Sequence, residues 1–148
     1  LKKSASIIVD LDGTLCDIEH RVHHVRVKPK NWKAFNEGMD QDKSYFWCIE
    51  LIAAMRDRGY QIIFVTGRDD NFRGPTESWL ARHNIAYDNL YMRAAGDFRE
   101  DSDVKEEIYL THIKNQSDVL FVVDDRQSVV DRWRKLDLTC LQCAPGKF

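Results

Sequence analysis

Near the start of the chain, Ile7-Ile8-Val9 runs straight into Asp10-Leu11-Asp12-Gly13-Thr14. Three β-branched residues make a buried strand. That strand delivers two carboxylates to its C-terminal end, where Gly13 lets the backbone turn sharply. In an open α/β sheet, ligands bind outside that end of the strands. Two carboxylates so close together repel, so they call for a cation or a shared proton. Alone, the pair is also compatible with a plain Asx turn. The rest of the chain decides between these readings.

The chain has 148 residues, enough for one domain with a real core. Lysine plus arginine is 22 and aspartate plus glutamate 24, a net charge of −2. That balance excludes a strongly basic nucleic-acid coat but leaves room for a local basic patch. No apolar run approaches the roughly 18 residues of a membrane span, and no signal-peptide pattern opens the chain. The expectation is a cytoplasmic protein with no membrane partner. The cysteines, Cys16, Cys48, Cys140 and Cys143, lack a disulfide framework, and Cys140-Leu141-Gln142-Cys143 lacks the second pair of a structural zinc site. Reduced thiols are expected. The chain opens on Leu1 rather than Met, as a segment cut from a longer protein does.

There is no repeat, linker or low-complexity tract, which predicts a single domain over residues 1–148. Hydrophobic patterning predicts strands at Ser6–Asp10, Gln61–Thr66, Asn89–Met92, Val119–Asp124 and Thr139–Gln142. Helices are predicted at Ser44–Arg58, Thr76–His83, Ser102–Ile113 and Ser128–Lys135, with Gly59 ending the first and Pro75 at the start of the second. Alternating strands and helices argue for α/β architecture, a doubly wound parallel sheet with helices on both faces. The polar segment Asp17–Asp42 reads as a small cap or lid with one helix, too short for a second domain.

Three further places on the same rim carry chemistry. One strand runs into Thr66-Gly67-Arg68, another into Asp124-Asp125-Arg126, and Lys105 lies in the helix before the latter. An aspartate nucleophile, a second carboxylate as acid/base, a hydroxyl and lysine for phosphate oxygens, and carboxylates for Mg²⁺ suit phosphoryl transfer.

These four motifs, in this order, resemble those of the haloacid dehalogenase superfamily of phosphohydrolases. Asp97-Phe98-Arg99-Glu100-Asp101, Val104-Lys105-Glu106-Glu107-Ile108, Val123-Asp124-Asp125-Arg126 and Trp133-Arg134 further resemble the 3′-phosphatase domain of phage polynucleotide kinase/phosphatases. The resemblance runs from about Ser6 to Phe148 and is weakest between Asp17 and Ser44. It implies Asp10 as nucleophile, Asp12 as acid/base with its carbonyl on the metal, and Thr66, where the phage enzymes carry serine, as phosphate-binding hydroxyl. It implies Lys105 bridging phosphate and nucleophile, with Asp125 binding Mg²⁺ directly and Asp124 supporting it. Asp10, Asp12 and Asp125 are thus the metal set; Arg21, Gly67, Arg68 and Asp101 join Thr66 and Lys105 as substrate-binding residues. The implied substrates are 3′-phosphorylated RNA or DNA ends. The implied partners are a fused or separate kinase domain and a ligase, and self-association is expected by analogy. No G-x-x-x-x-G-K-[ST] occurs, so the chain itself offers no kinase.

Bland readings apply elsewhere. His20, His23 and His24 have no ligand spacing and read as loop surface. Trp47 and Trp79 fall in helical patterns and are expected in the core, leaving Trp32 as the one tryptophan open to stack on a base. The Arg132–Lys135 basic cluster reads as a solvated face. A protonated Asp12 beside an ionised Asp10 would titrate as a coupled pair. Two other functions fit the motifs: a soluble mononucleotidase, and a non-catalytic nucleic-acid-binding module.

Overall fold

The computed structural model describes residues 2–146. Five parallel strands form the sheet: β1 (Ser4–Val9), β4 (Gln61–Asp69), β5 (Asn89–Arg93), β6 (Ser117–Arg126) and β7 (Cys140–Gly146), in the order β5-β4-β1-β6-β7. β1 sits in the middle, with Ile7 and Val9 buried in one core layer and Ile8 in the other. The winding reverses there, β4 lying on one side and β6 on the other. A crevice therefore opens at the C-terminal end of β1. Two short strands, β2 (Cys16–Asp17) and β3 (Lys43–Ser44), form a separate antiparallel ladder at the base of the insert.

Helices α3 (Phe46–Asp57) and α4 (Arg73–Arg82) cover one face of the sheet, and α5 (Asp101–Ile108) and α6 (Gln127–Lys135) the other. Gly59 follows α3 in the left-handed conformation, as its sequence position foretold. Pro75 lies in the first turn of α4, where its missing N–H costs no helical bond. The helix expected to Ile113 is α-helical only to Ile108; 109–113 is wound wider, as π-helix. Trp79 is buried as expected, but Trp47 is 43% exposed. The buried stripe of α3 runs through Cys48 and Ile52, one turn apart, which leaves Trp47 to the side.

The insert after β1 holds two short helices instead of one, α1 (His23–Arg26) and α2 (Trp32–Glu37), followed by a 3₁₀ turn at Met39–Gln41. It has its own small core of Ile18, Val22, Val25 and Phe35. A patch so small is near the lower limit for ordering a segment, and buried ion pairs, described below, tie it to the sheet.

Candidate active site

The two motifs expected just beyond strand ends lie within long strands. β4 continues through Thr66-Gly67-Arg68 and β6 through Asp124-Asp125-Arg126. Pairing slips at both places, between Thr66 and Asp69 against β5 and between Asp124 and Arg126 against β7. Such irregularities bend a strand and re-aim its side chains, which the sequence pattern alone does not reveal. Here they turn Thr66, Arg68 and Asp125 toward the end of β1, where all three line one cavity of about 440 Å³ with Asp10 and Asp12.

On its floor, Lys105 Nζ donates to Asp10 Oδ1 at 2.8 Å and to Asp124 Oδ2 at 3.0 Å. The same Asp124 oxygen accepts from the Trp133 indole at 3.2 Å, and Asp124 Oδ1 from the backbone N–H of Asp125 at 2.8 Å. Asp124 is therefore held on both oxygens. Thr14 Oγ1 has one proton to share between Asp10 Oδ2 at 3.3 Å and Asp125 Oδ1 at 3.4 Å. Carboxylate oxygens of Asp10, Asp124 and Asp125 lie within 4.8 Å of one another.

Three carboxylates thus face one ammonium. Burial and the neighbouring Asp124 push the Asp10 carboxyl well above its usual range, and the same two causes raise Asp125 to about 6. Burial works against the Lys105 charge, yet Asp10 and Asp124 outweigh it and hold the ammonium protonated. A surplus of hard, desolvated oxygen ligands suits a divalent cation such as Mg²⁺. Asp124 carries the most donors and Asp10 accepts from Lys105 and Thr14, whereas Asp125 has, among the described residues, only the shared Thr14 hydroxyl and offers the freest oxygens.

Asp12, two residues on, is in the opposite state. Arg68 Nη2 donates to its Oδ1 at 2.6 Å and Arg21 Nη2 at 2.7 Å. Burial alone would raise its pKa, but the two guanidinium groups outweigh burial and hold the carboxyl far below the usual range. The expected coupled titration with Asp10 is replaced by a split: Asp12 is ionised and Asp10 resists ionisation. The second carboxylate of this network is Asp42, which accepts from Arg21 Nε at 2.7 Å and Nη2 at 2.6 Å, and faces His20 Nε2 at 2.6 Å. Two carboxylates balance two guanidinium groups, so the cluster formed by Asp12, Cys16 and Asp42 gives no reason for a metal.

The expected substrate contacts fall differently from one another. Thr66 Oγ1 accepts from the Arg68 N–H at 3.1 Å, which leaves its own proton for another acceptor. Arg68 lines the cavity, but Arg21 is buried outside it against Asp12, Asp42 and the Phe35 carbonyl. Asp101 stands 3.9 Å from Lys105 Nζ and pairs with Arg93 at 3.4 Å and Arg126 at 3.7 Å. Two glycines set these positions. A Cβ on Gly13 (φ 87°) would lie 2.1 Å from Asp125 Oδ2, and one on Gly67 would lie 2.0 Å from Asp101 Oδ1. Asp42 and Arg93 escaped the sequence reading, and Trp133 entered it only within the Trp133-Arg134 motif and the basic cluster, not as a partner of Asp124. Asp42 is 30 residues from Asp12 inside a polar stretch, and the cluster holding Trp133 reads as a solvated face, whereas its ring is buried. Arg93 was the one with a signal, since it directly follows a predicted strand.

The family model for the phosphatase domain of the polynucleotide kinase PNKP matches residues 4–148. The chain belongs to that family. One chain of the Pnkp1/Rnl/Hen1 RNA repair complex is similar to this PNKP-type phosphatase domain with a TM-score of 0.87 and 36% identity, over 99% of this chain and 44% of that one. A protein designated a bifunctional polynucleotide kinase/RNA ligase, from Autographa californica nuclear polyhedrosis virus, is 26% identical over 137 residues, which is 90% of this chain and 18% of the viral protein. The domain therefore spans less than half the length of either relative. The class C acid phosphatase of Bacillus anthracis shares the fold at a TM-score of 0.66 and 17% identity, over 93% of this chain and 61% of that one. The domain is a phosphoric monoester hydrolase of the haloacid dehalogenase fold. Among the described residues, no helix is long and apolar enough to cross a membrane.

Proposed function

We propose that this domain removes the 3′-terminal phosphate from RNA or DNA ends through an aspartyl-phosphate on Asp10. The observation that supports it best is Asp10 itself, with Lys105 Nζ 2.8 Å from one oxygen beside an open cavity. An Asp10 oxygen attacks phosphorus, the bond to the 3′-oxygen breaks, and Asp12 delivers a proton to that oxygen. Water then attacks the acyl phosphate, Asp12 takes its proton, and inorganic phosphate leaves. Lys105 and the Thr66 hydroxyl stabilise the charge on the transferring oxygens. Asp10, Asp125 and the Asp12 carbonyl would hold Mg²⁺, whose charge would offset the surplus of carboxylates. The first proton transfer needs a protonated Asp12, which the two arginines oppose. A phosphate dianion beside Asp12 competes for Arg68 and repels the carboxylate, and both effects raise its proton affinity. Kinase and ligase activities would act on the same ends, from a longer chain or a complex, in the cytoplasm, where four free thiols stay reduced.

Phosphate release from matched 3′- and 5′-phosphorylated RNA and DNA oligonucleotides, and from mononucleotides, tests this reading. Release from 3′ ends should exceed that from 5′ ends and from mononucleotides by at least about tenfold, the weight of one charge-assisted contact. Equal rates on both ends would leave only a general phosphatase, and a preference for mononucleotides would favour the mononucleotidase. Chelation should abolish activity and Mg²⁺ restore it. Ca²⁺, which prefers a larger and looser shell of oxygens, should restore little. Full turnover after thorough chelation would remove the metal from the scheme.

A further inference from the structure

Phe98 is 93% exposed and Trp32 is 41% exposed, and both line the cavity that holds Asp10. Single exposed apolar residues are ordinary on a protein surface. These two differ in how firmly they are held. Arg93 Nη1 donates to the carbonyls of Asp97 and Arg99, on either side of Phe98, at 3.1 and 2.6 Å, while its Nε holds the Gly67 carbonyl at 2.9 Å. Arg99 closes back onto the Asp97 carboxylate at 2.7 Å and pairs with Glu107. The loop is thus pinned on both sides of a phenyl ring that packs on almost nothing. Trp32 opens α2, which Asn31 caps through the Ala34 N–H, and its ring meets Phe35 edge-on at 5.6 Å. A rigid backbone presents each ring to the cavity.

We propose that Trp32 and Phe98 form a stacking platform for the bases of the terminal nucleotides of a phosphorylated strand; this rests on the end-phosphatase reading above. The cavity wall beside the rings carries Lys30, Arg93, Arg99 and Arg126, with Lys30 Nζ 5.6 Å and the Arg126 guanidinium 6.0 Å from the Trp32 ring centre. Asp97, Glu100 and Asp101 share this wall, and Asp97 and Asp101 pair with Arg99, Arg93 and Arg126; two exposed rings beside Lys30 suit flat bases on a phosphate backbone better than an apolar peptide. The rings come from the insert and from the loop after β5, so a strand that lays its terminal phosphate on Asp10 passes between two elements. Stacking tolerates any base, because every base has a π-face. The platform therefore selects for the presence of a base and not for its identity.

The test uses a 3′-phosphorylated oligonucleotide and a matched one whose last two sugars lack bases, with the wild-type domain, Phe98→Ala, Phe98→Tyr, Trp32→Ala and Trp32→Phe. Each stack lost should raise KM about 5- to 150-fold, with kcat changed less than about threefold. The wild type should lose this factor on the abasic end, and the alanine variants on the normal end. Alanine on the abasic substrate should add little further, and the aromatic replacements should recover most of the loss. If alanine raises KM equally on both substrates, or on neither, the rings do not stack on bases. A wild type that hydrolyses normal and abasic ends alike overturns the platform while leaving the end-phosphatase reading intact. A wild type that hydrolyses nitrophenyl phosphate but no 3′-phosphorylated end removes both.

Discussion

Asp10→Asn should abolish turnover, at least about 10⁴-fold, while the protein stays folded. The amide keeps the shape of the side chain and can still accept from Lys105, but it cannot attack phosphorus. In the metal-free protein its melting temperature should equal or exceed that of the wild type. The reason is the charge surplus on the cavity floor, where burial and Asp124 disfavour the Asp10 carboxylate. A carboxyl raised in the folded state binds more protons there than in the unfolded chain, so its ionisation costs stability as pH rises past about 4. Asn removes that cost and should flatten the fall of stability with pH. Asp125, raised to about 6, keeps part of the slope. Thermal melts from pH 4 to 8 beside phosphate-release assays check both statements. Appreciable turnover by the variant would exclude Asp10 as the nucleophile.

Asp12→Asn, only two residues away, should behave differently in both respects. It leaves the buried guanidinium groups of Arg21 and Arg68 facing Asp42 as their one remaining carboxylate. Breaking a buried pair from one side costs about 3–5 kcal/mol, which for a domain of this size lowers the melting temperature by roughly 10 °C. Activity on a nucleotide end should fall about 10²–10⁴-fold, the usual contribution of general acid catalysis. On nitrophenyl phosphate, whose leaving group departs unaided, the loss should be far smaller. Equal losses on the two substrates would deny Asp12 the acid role. A variant as stable as the wild type would mean that the arginines do not depend on it.

The asymmetry between two neighbouring aspartates was beyond the reach of the sequence. Strand and helix placement was legible because apolar periodicity and turn residues agree over most of the chain. The motif residues Asp10, Asp12, Thr66, Lys105, Asp124 and Asp125 read as one group because the topology brings strand ends together. What the motifs could not reveal is how side chains are shared. Arg21 and Arg68 look like phosphate ligands in a one-dimensional reading, since a guanidinium fork suits either a phosphate or a carboxylate. Only the fold shows both forks already engaged by Asp12, with Asp42 completing the set. The insert resisted for a related reason. Its order comes from Phe35 packing under Arg21, whose guanidinium carbon is 4.2 Å from the ring centre, and not from any strong helical period.

The central place of β1 in the sheet bears on when the domain comes into being. Its first residues to be synthesised pair on one side with Gln61–Phe64 and on the other with a strand that begins at Ser117. Asp10 meets Lys105 across 95 residues of chain, and Thr14 meets Asp125 across 111. Loops that long must close before any contact at the sheet centre rewards them, which makes parallel α/β domains slow folders with exposed intermediates. A growing chain that stops short of β6 has strands without a middle and carboxylates without their lysine's full setting. Catalytic competence and the folded state therefore arrive together, and a half-made domain should have no phosphatase activity.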